Sequence, residues 1–282
     1  MTERTETEPN EGVERDTTGN GETDETASSE PETGWTGAIR SGVGFLTRLP
    51  VHNREGDWAA FRSRPAVFPL AGLIVGALAA IPLLASEVLP GPTVAFGYVL
   101  AVYAVTGIHH LDGVADLGDA LVVHGDQERR REVLKDTTTG VGAILAVAIV
   151  VVGLALAGLG LAGLPAIVAV TIAIGAEVGA KLGMAAMACF GEASHDGMAK
   201  QVTDAASPGQ FILPAGLILG ACAIIWPHPA AVAVCGALAG LWPPWYWANR
   251  TLEGINGDVF GAANELGRVV GAHAGVIAWM LL

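Results

Sequence analysis

Apolar residues dominate seven stretches of the chain, at about 66–89, 92–108, 141–163, 165–190, 211–226, 229–247 and 269–282. Most reach the ~20 residues that a helix needs to cross the hydrocarbon core of a bilayer. The pattern therefore predicts an all-α, polytopic integral membrane protein with about seven transmembrane helices. The last stretch has only 14 clearly apolar residues, so it is tilted, partly interfacial, or begins earlier, around Val259.

The connectors alternate in character. Leu89-Pro90-Gly91-Pro92, the turn at Leu164-Pro165 and Trp226-Pro227-His228-Pro229 are tiny, whereas 35–65, 109–140, 191–210 and 248–268 are long and polar. Short and long connectors must then lie on opposite sides, with the helices paired as tight hairpins. Twelve basic residues (Arg40, Arg48, Arg54, Arg62, Arg64, Arg129, Arg130, Arg131, Lys135, Lys200, Arg250 and Arg268) fall in the long stretches and none in a short connector. The positive-inside rule places the amino terminus and the long loops in the cytoplasm of a multi-pass cell-membrane protein.

Composition supports a membrane class. Hydrophobic residues make up 51% of 282 and charged ones 15%, with 38 glycines; mean hydropathy is +0.48. A soluble enzyme does not need so much apolar surface, and abundant Gly and Ala let membrane helices approach closely. The net charge of -13 is uneven, since residues 1–34 hold eleven acids against Arg4 and Arg15. That segment is expected to be a disordered acidic tail, leaving 35–282 as a single transmembrane catalytic domain. Cys189, Cys222 and Cys235 lack metal-ligand spacing and read as core-filling thiols.

Three polar clusters carry the candidate chemistry. The first runs from Gly107 to Ala120 at the mouth of the second apolar stretch, where Asp112, Asp116 and Asp119 are spaced i, i+4, i+7 and share one helix face. Carboxylates so close repel unless a cation offsets them, most simply a Mg²⁺ that also holds substrate phosphates; the alternative is a solvated acidic face. His110 either orients a substrate or shuttles a proton, or is a hydrogen-bonded structural residue, as His109 is. In the second cluster, Lys135, Asp136, Thr137, Thr138, Thr139 and Gly140 precede a helix and form either a phosphate cradle or an ordinary cap. The third comprises Asn249-Arg250 and then Asn256, Asp258, Asn264 and Glu265 among glycines, which complete a metal and nucleotide site or form a turn and an amphipathic helix. Within the apolar stretches, Glu177 and Lys181 at i, i+4 are either a mutually neutralising pair or part of the site.

These motifs together resemble the cobalamin-5'-phosphate synthase family, also called adenosylcobinamide-GDP ribazoletransferase. The resemblance runs from about residue 37 to the end and rests on GFLTRLPV from Gly44 to Val51 and FPLAG from Phe68 to Gly72. It continues through HLDGVADLGDAL from His110 to Leu121, Lys135-Asp136-Thr137 with Gly140, and NGDVFGAANEL from Asn256 to Leu266. Five ordered motifs are far more specific than any one.

The resemblance implies a Mg²⁺-dependent membrane enzyme of late vitamin B12 assembly. It would join adenosylcobinamide-GDP to alpha-ribazole, or its 5'-phosphate, and release GMP. It further implies metal binding by Asp112, Asp116 and Asp119, with His110, Lys135 and Asp136 catalytic beside them. Arg48, Thr137, Lys181, Asn256, Asp258, Asn264 and Glu265 would contact substrates. Thr138 and Lys181 stand where the family's pattern has arginines, which puts the phosphate contacts in question. No nucleic-acid partner is expected; a homo-oligomer or a complex with other late cobalamin enzymes is compatible with this reading. Two other classes compete. A CDP-alcohol-type phosphotransferase would normally show Ala-Arg where this chain has Ala115-Asp116, and a cation-coupled transporter would need Asp112, Glu177 and Lys181 at mid-bilayer.

Overall fold

The computed structural model describes residues 34–134, 136 and 138–282. The tail expected over 1–34 lies outside the described residues except for Gly34, as do Lys135 and Thr137. Helices form every element among the described residues. They are α1 (Trp35–Leu46), α2 (Asp57–Arg62), α3 (Val67–Ala79, extended by a 3₁₀ turn at Ile81–Ala85), α4 (Gly91–Thr106), α5 (His109–Val122) and α6 (Gln127–Val133). There follow α7 (Val141–Ala162), α8 (Ala166–Phe190), α9 (Met198–Ala205), α10 (Pro208–Ile225), α11 (Pro229–Thr251) and α12 (Gly257–Leu281).

Four helical stretches are long and apolar enough to cross a membrane: Val67–Ala85, α7, α8 and α10, or five if the bent pair α4 and α5 counts as one span. The architecture is that of a polytopic membrane protein. α11 and α12 are as long as the spans, 23 and 25 residues, but α12 carries Asp258, Glu265 and Arg268 along its length.

α8 is the central helix, packed by α3, α11 and α12. Small residues set those distances. A Cβ on Gly175 would stand 2.6 Å from the Ala230 carbonyl oxygen, and one on Gly179 2.7 Å from that of Val234, so α8 and α11 touch backbone to backbone along this stripe. α10 lies at the periphery, with Ile212, Leu213, Leu217 and Ile224 all exposed, a surface suited to lipid.

The polar connectors gather at one end of the bundle. Trp58 Nε1 donates to Gln201 Oε1 at 2.9 Å, Gln210 Nε2 to the Ser63 carbonyl at 3.0 Å and an Arg131 terminal nitrogen to the Leu252 carbonyl at 2.8 Å. Ser194 N donates to the Ile255 carbonyl at 2.9 Å. One expected loop is corrected. Residues 248–268 are not a long polar connector, because α11 continues to Thr251 and α12 begins at Gly257, leaving 252–256 between them. Arg268 is therefore not a loop cation: it is fully buried inside α12. Its charge is tolerated there because carboxylates from two helices meet it.

Candidate active site

The acid cluster is positioned by a sharp break. α4 and α5 meet at 97°, and the turn is made at Gly107, whose φ of +72° favours glycine. A Cβ there would also lie 2.9 Å from Arg48 Cδ, which is where the expected substrate contact Arg48 packs, its side chain exposed. α5 thus turns sharply away from α4 and crosses the start of α12. The crossing is tight at two glycines: a Cβ on Gly113 would sit 2.6 Å from the Asp258 carbonyl oxygen, and one on Gly261 2.9 Å from that of His110.

This crossing brings Asp112 and Asp116 of α5 alongside Asp258 of α12. The half-buried Asp116 carboxyl lies within reach of the negative charges of Asp258, Asp112 and Asp119. Asp119, placed with the metal set by its spacing, has a different attachment. Its Oδ2 accepts from Gly140 N at 2.7 Å and its Oδ1 from Ala143 N at 2.9 Å, so it caps α7 from a neighbouring helix. Among the described residues no group of three or more His, Cys, Asp and Glu side chains is gathered into a ready-made metal cage.

Asn256 and Asp258 form a unit at the start of α12. Asn256 Oδ1 accepts from Val259 N at 3.0 Å as the helix cap, while its Nδ2 donates to Asp258 Oδ2 at 2.8 Å. Asn256 is 3% exposed, with its polar atoms already engaged. It orients Asp258 rather than facing open solvent.

Deeper in, the residues expected as further substrate contacts are joined in one buried network. Lys181 Nζ donates to Glu177 Oε2 at 2.6 Å, Arg268 Nε to Glu177 Oε1, and Arg268 to Glu265 Oε1 at 2.6 Å. Tyr103 donates its hydroxyl to Glu265 Oε2 at 3.2 Å. Lys181, Glu177, Asn264, Glu265 and Arg268 are all fully buried. The ionic pair of Glu177 and Lys181 is thus half of a balanced set of two acids and two bases. The guanidinium beside Lys181 comes from α12, as Arg268. The structure does not bring Lys181, Asn264 or Glu265 to an open surface, because their charges and amide protons are matched inside the bundle.

The network reaches the acid cluster through Asn264, whose Nδ2 lies 3.3 Å from Glu265 Oε1 and 3.0 Å from His110 Nδ1. A carboxylate oxygen can only accept, so the atom facing both must be the amide nitrogen. His110 Nδ1 then accepts, and a neutral ring carries its proton on Nε2. In the second predicted cluster, Asp136 is exposed and its Oδ1 accepts from Thr138 N at 3.0 Å, a local turn. Lys135 and Thr137 lie outside the described residues.

Sequence reasoning missed one wall of the site. A cleft of about 170 Å³ is lined by Arg131, Leu134, Ser194, His195, Leu252, Asn256 and Asp258. It forms where the loop after α8 pairs with 252–256 through a parallel bridge between Ala193 and Ile255. The signal available was the Ser194-His195-Asp196 run inside the polar stretch 191–210.

Residues 38–276 match the profile of a family described as cobalamin-5-phosphate synthase. The chain is 48% identical over 254 residues to an adenosylcobinamide-GDP ribazoletransferase of Halorubrum lacusprofundi, covering 86% of this chain and 97% of that protein. It is 54% identical over 193 residues to the protein of that name in Halobacterium salinarum, covering 68% and 97%. The corresponding Haloquadratum walsbyi protein is 42% identical, covering 86% and 98%. No solved structure matches. On the family profile and these relatives, the chain belongs to the cobalamin-5-phosphate synthase family.

Proposed function

We propose that the chain is a membrane adenosylcobinamide-GDP ribazoletransferase, joining the GDP-activated corrinoid to alpha-ribazole or its 5'-phosphate with release of GMP. The observation that carries the assignment to a site is the α5–α12 crossing, which sets Asp112 and Asp116 against Asp258 beside an open cleft. In the reaction the acceptor hydroxyl oxygen bonds the phosphorus that bears the corrinoid. The bond from that phosphorus to the GMP oxygen breaks, and the hydroxyl proton passes to a protein carboxylate.

The donor chemistry fits Mg²⁺. This ion is usually held by one or two carboxylates plus substrate phosphates and water, without a dedicated cage. Asp112 and Asp116 would hold it. When bound, Mg²⁺ would neutralise charge on the diphosphate. Asp258, fixed by Asn256 and lining the cleft, takes the hydroxyl proton. His110, with Nδ1 tied to Asn264, donates from Nε2 to a phosphate oxygen. Lys135, from the motif, offsets charge on departing GMP.

The site faces the cytoplasm in this reading, supported by the concentration of basic residues in the long polar connectors and their absence from the short ones. Labelling single cysteines at Gln127 from inside and at Gly91 from outside tests it, and the reverse labelling overturns it. The activity is tested by giving purified protein adenosylcobinamide-GDP, alpha-ribazole and Mg²⁺ and following GMP. Release dependent on both substrates and on Mg²⁺ is expected. Absence of acceptor-dependent GMP overturns the assignment.

A further inference from the structure

α5 has two chemically opposite faces. Asp112, Asp116 and Asp119 share one, while Val114, Leu117 and Leu121 lie on the other. Behind this second face is a groove of about 230 Å³, which Ile149 of α7, Trp247 of α11 and Leu266 of α12 line together with the α5 residues. None of its lining residues is charged.

The groove opens onto surface that belongs to the bilayer. α7 is long and apolar enough to cross a membrane, and Ile149 lies eight residues into it, about 12 Å along its axis at the helical rise. That depth is inside the hydrocarbon layer, not among headgroups. Leu145 and Ile149 of α7 and Leu121 of α5 are each more than half exposed, so the groove is continuous with the lipid-facing side of α7. A nucleotide or a sugar would leave its polar groups without partners there, whereas a hydrocarbon chain loses nothing. Three residues beyond Trp247, toward the polar end, Arg250 is exposed, with Nε and one terminal nitrogen on the Tyr246 hydroxyl at 3.1 and 2.9 Å. It supplies a cation, beside the aromatic side chains typical of a membrane interface, for the phosphate of a lipid whose chain lies deeper.

We propose that an acyl chain of a phospholipid from the surrounding bilayer seats in the groove behind α5 and supports the helix that presents Asp112 and Asp116 to Asp258. Elsewhere α5 is fixed by close backbone approaches, to α12 at Gly113 and to α7 at Gly118 and Gly142; the chain fills the space that these contacts leave behind Leu117 and Leu121. Seating of the lipid stands on the groove alone, whereas its effect on turnover rests on the proposed ribazoletransferase reading.

The binding is tested with the full-length protein in nanodiscs of phosphatidylcholine carrying a photoreactive group in mid-chain. Irradiation should label Leu117, which is 7% exposed, and Trp247, besides the outward residues of α7 and α10. Ile149→Phe combined with Leu121→Phe, two exposed positions, fills the groove from the protein and should remove the label at Leu117 and Trp247 alone. Labelling confined to the outward residues overturns the proposal. So does loss of the groove label on adding alpha-ribazole or adenosylcobinamide-GDP, which would make a substrate the occupant. A disulfide between copies through a single cysteine at Leu121 would make it a second copy of the chain, with the same consequence.

The support of α5 is tested by GMP release after lipid is stripped with a bulky steroid detergent. Wild-type turnover should fall roughly 10- to 100-fold, the scale for a small misplacement of reacting groups, and return with added phosphatidylcholine. The filled variant should keep its activity through the same treatment. Equal losses in both, or none in the wild type, overturn the supporting role. A lipid-loaded wild type without acceptor-dependent GMP overturns the ribazoletransferase reading instead, and the labelling pattern then decides the groove by itself.

Discussion

Asp258 and Glu265 stand seven residues, about two turns, apart on the same helix, yet their surroundings are opposites. Glu265 shares the buried Arg268 with Glu177, which also holds Lys181, so the charges deep in the bundle cancel within the protein. Asp258 faces Asp112 and Asp116, and none of these three has an ion-pair partner among the described residues. One cluster is balanced in charge within the bundle; the other has no such balancing partner among the described residues. The contrast separates the charges that hold α8 to α12 from those available for chemistry, although both arise from polar residues in an apolar chain.

The largest effect should come from breaking the complete cluster. Arg268→Met leaves Glu265 without its base and Glu177 with Lys181 alone, and removing one partner of a buried ionic set costs about 3–5 kcal/mol. Loss of folded protein in detergent, followed by thermal unfolding, is expected. Adding Glu265→Gln restores balance and should recover most of the loss. If the single variant unfolds like wild type, the cluster does not hold the bundle.

Asp112→Asn and Asp116→Asn should do the reverse. Turnover is expected to fall by about 10²-fold or more, the scale for losing a preorganised charged contact. Unfolding temperature should stay level or rise, because each change relieves like-charge repulsion. Raised Mg²⁺ should recover part of the activity. Wild-type turnover in both variants would return the α5 acids to a solvated face.

Asp119 tests where the boundary between the two regions lies. As the cap of α7 it should cost about 1 kcal/mol on conversion to Ala, with turnover reduced less than in Asp112→Asn. Unchanged stability joined to a loss of activity as large as that of Asp112→Asn would place it with the metal ligands instead. Denaturant unfolding and kinetics on one preparation decide between these outcomes.

The reach of the sequence followed the range of the interactions. α7 and α8, expected from apolar stretches at 141–163 and 165–190, run over Val141–Ala162 and Ala166–Phe190, because a continuous apolar helix is a local property. The shared face of Asp112, Asp116 and Asp119 was legible for the same reason: spacing on one helix fixes it. The beginning of α12 was legible only as one of two alternatives, a last span starting around Val259. A long polar stretch over 248–268 competed with it, because the groups that make Asn264, Glu265 and Arg268 acceptable in a helix come from α4, α5 and α8. His195 was missed because its partners in the cleft are supplied by α6 and by the segment before α12, which no local pattern joins.

The smallest expected effect concerns a third arrangement, a single acid paired at the polar end. Asp57 opens α2 and accepts from Arg40 Nε at 2.6 Å, from another Arg40 nitrogen at 2.8 Å and from Arg54 N at 2.7 Å. The Arg40 hydrogen bonds, with the Arg54 amide and the Arg40 charge, hold its carboxyl down at about 2. An unfolded chain would return it to about 3.9. Folding therefore gains from this contact fully above that unfolded value, and the gain is lost as pH falls toward about 2. Asp57→Asn keeps the shape and much of the hydrogen bonding but cannot titrate. Between pH 5 and about 2.5, wild-type unfolding temperature should fall more steeply than that of the variant, while both lose the contributions of all other acids alike. Parallel curves would show that the α1–α2 clasp carries no pH-dependent stability.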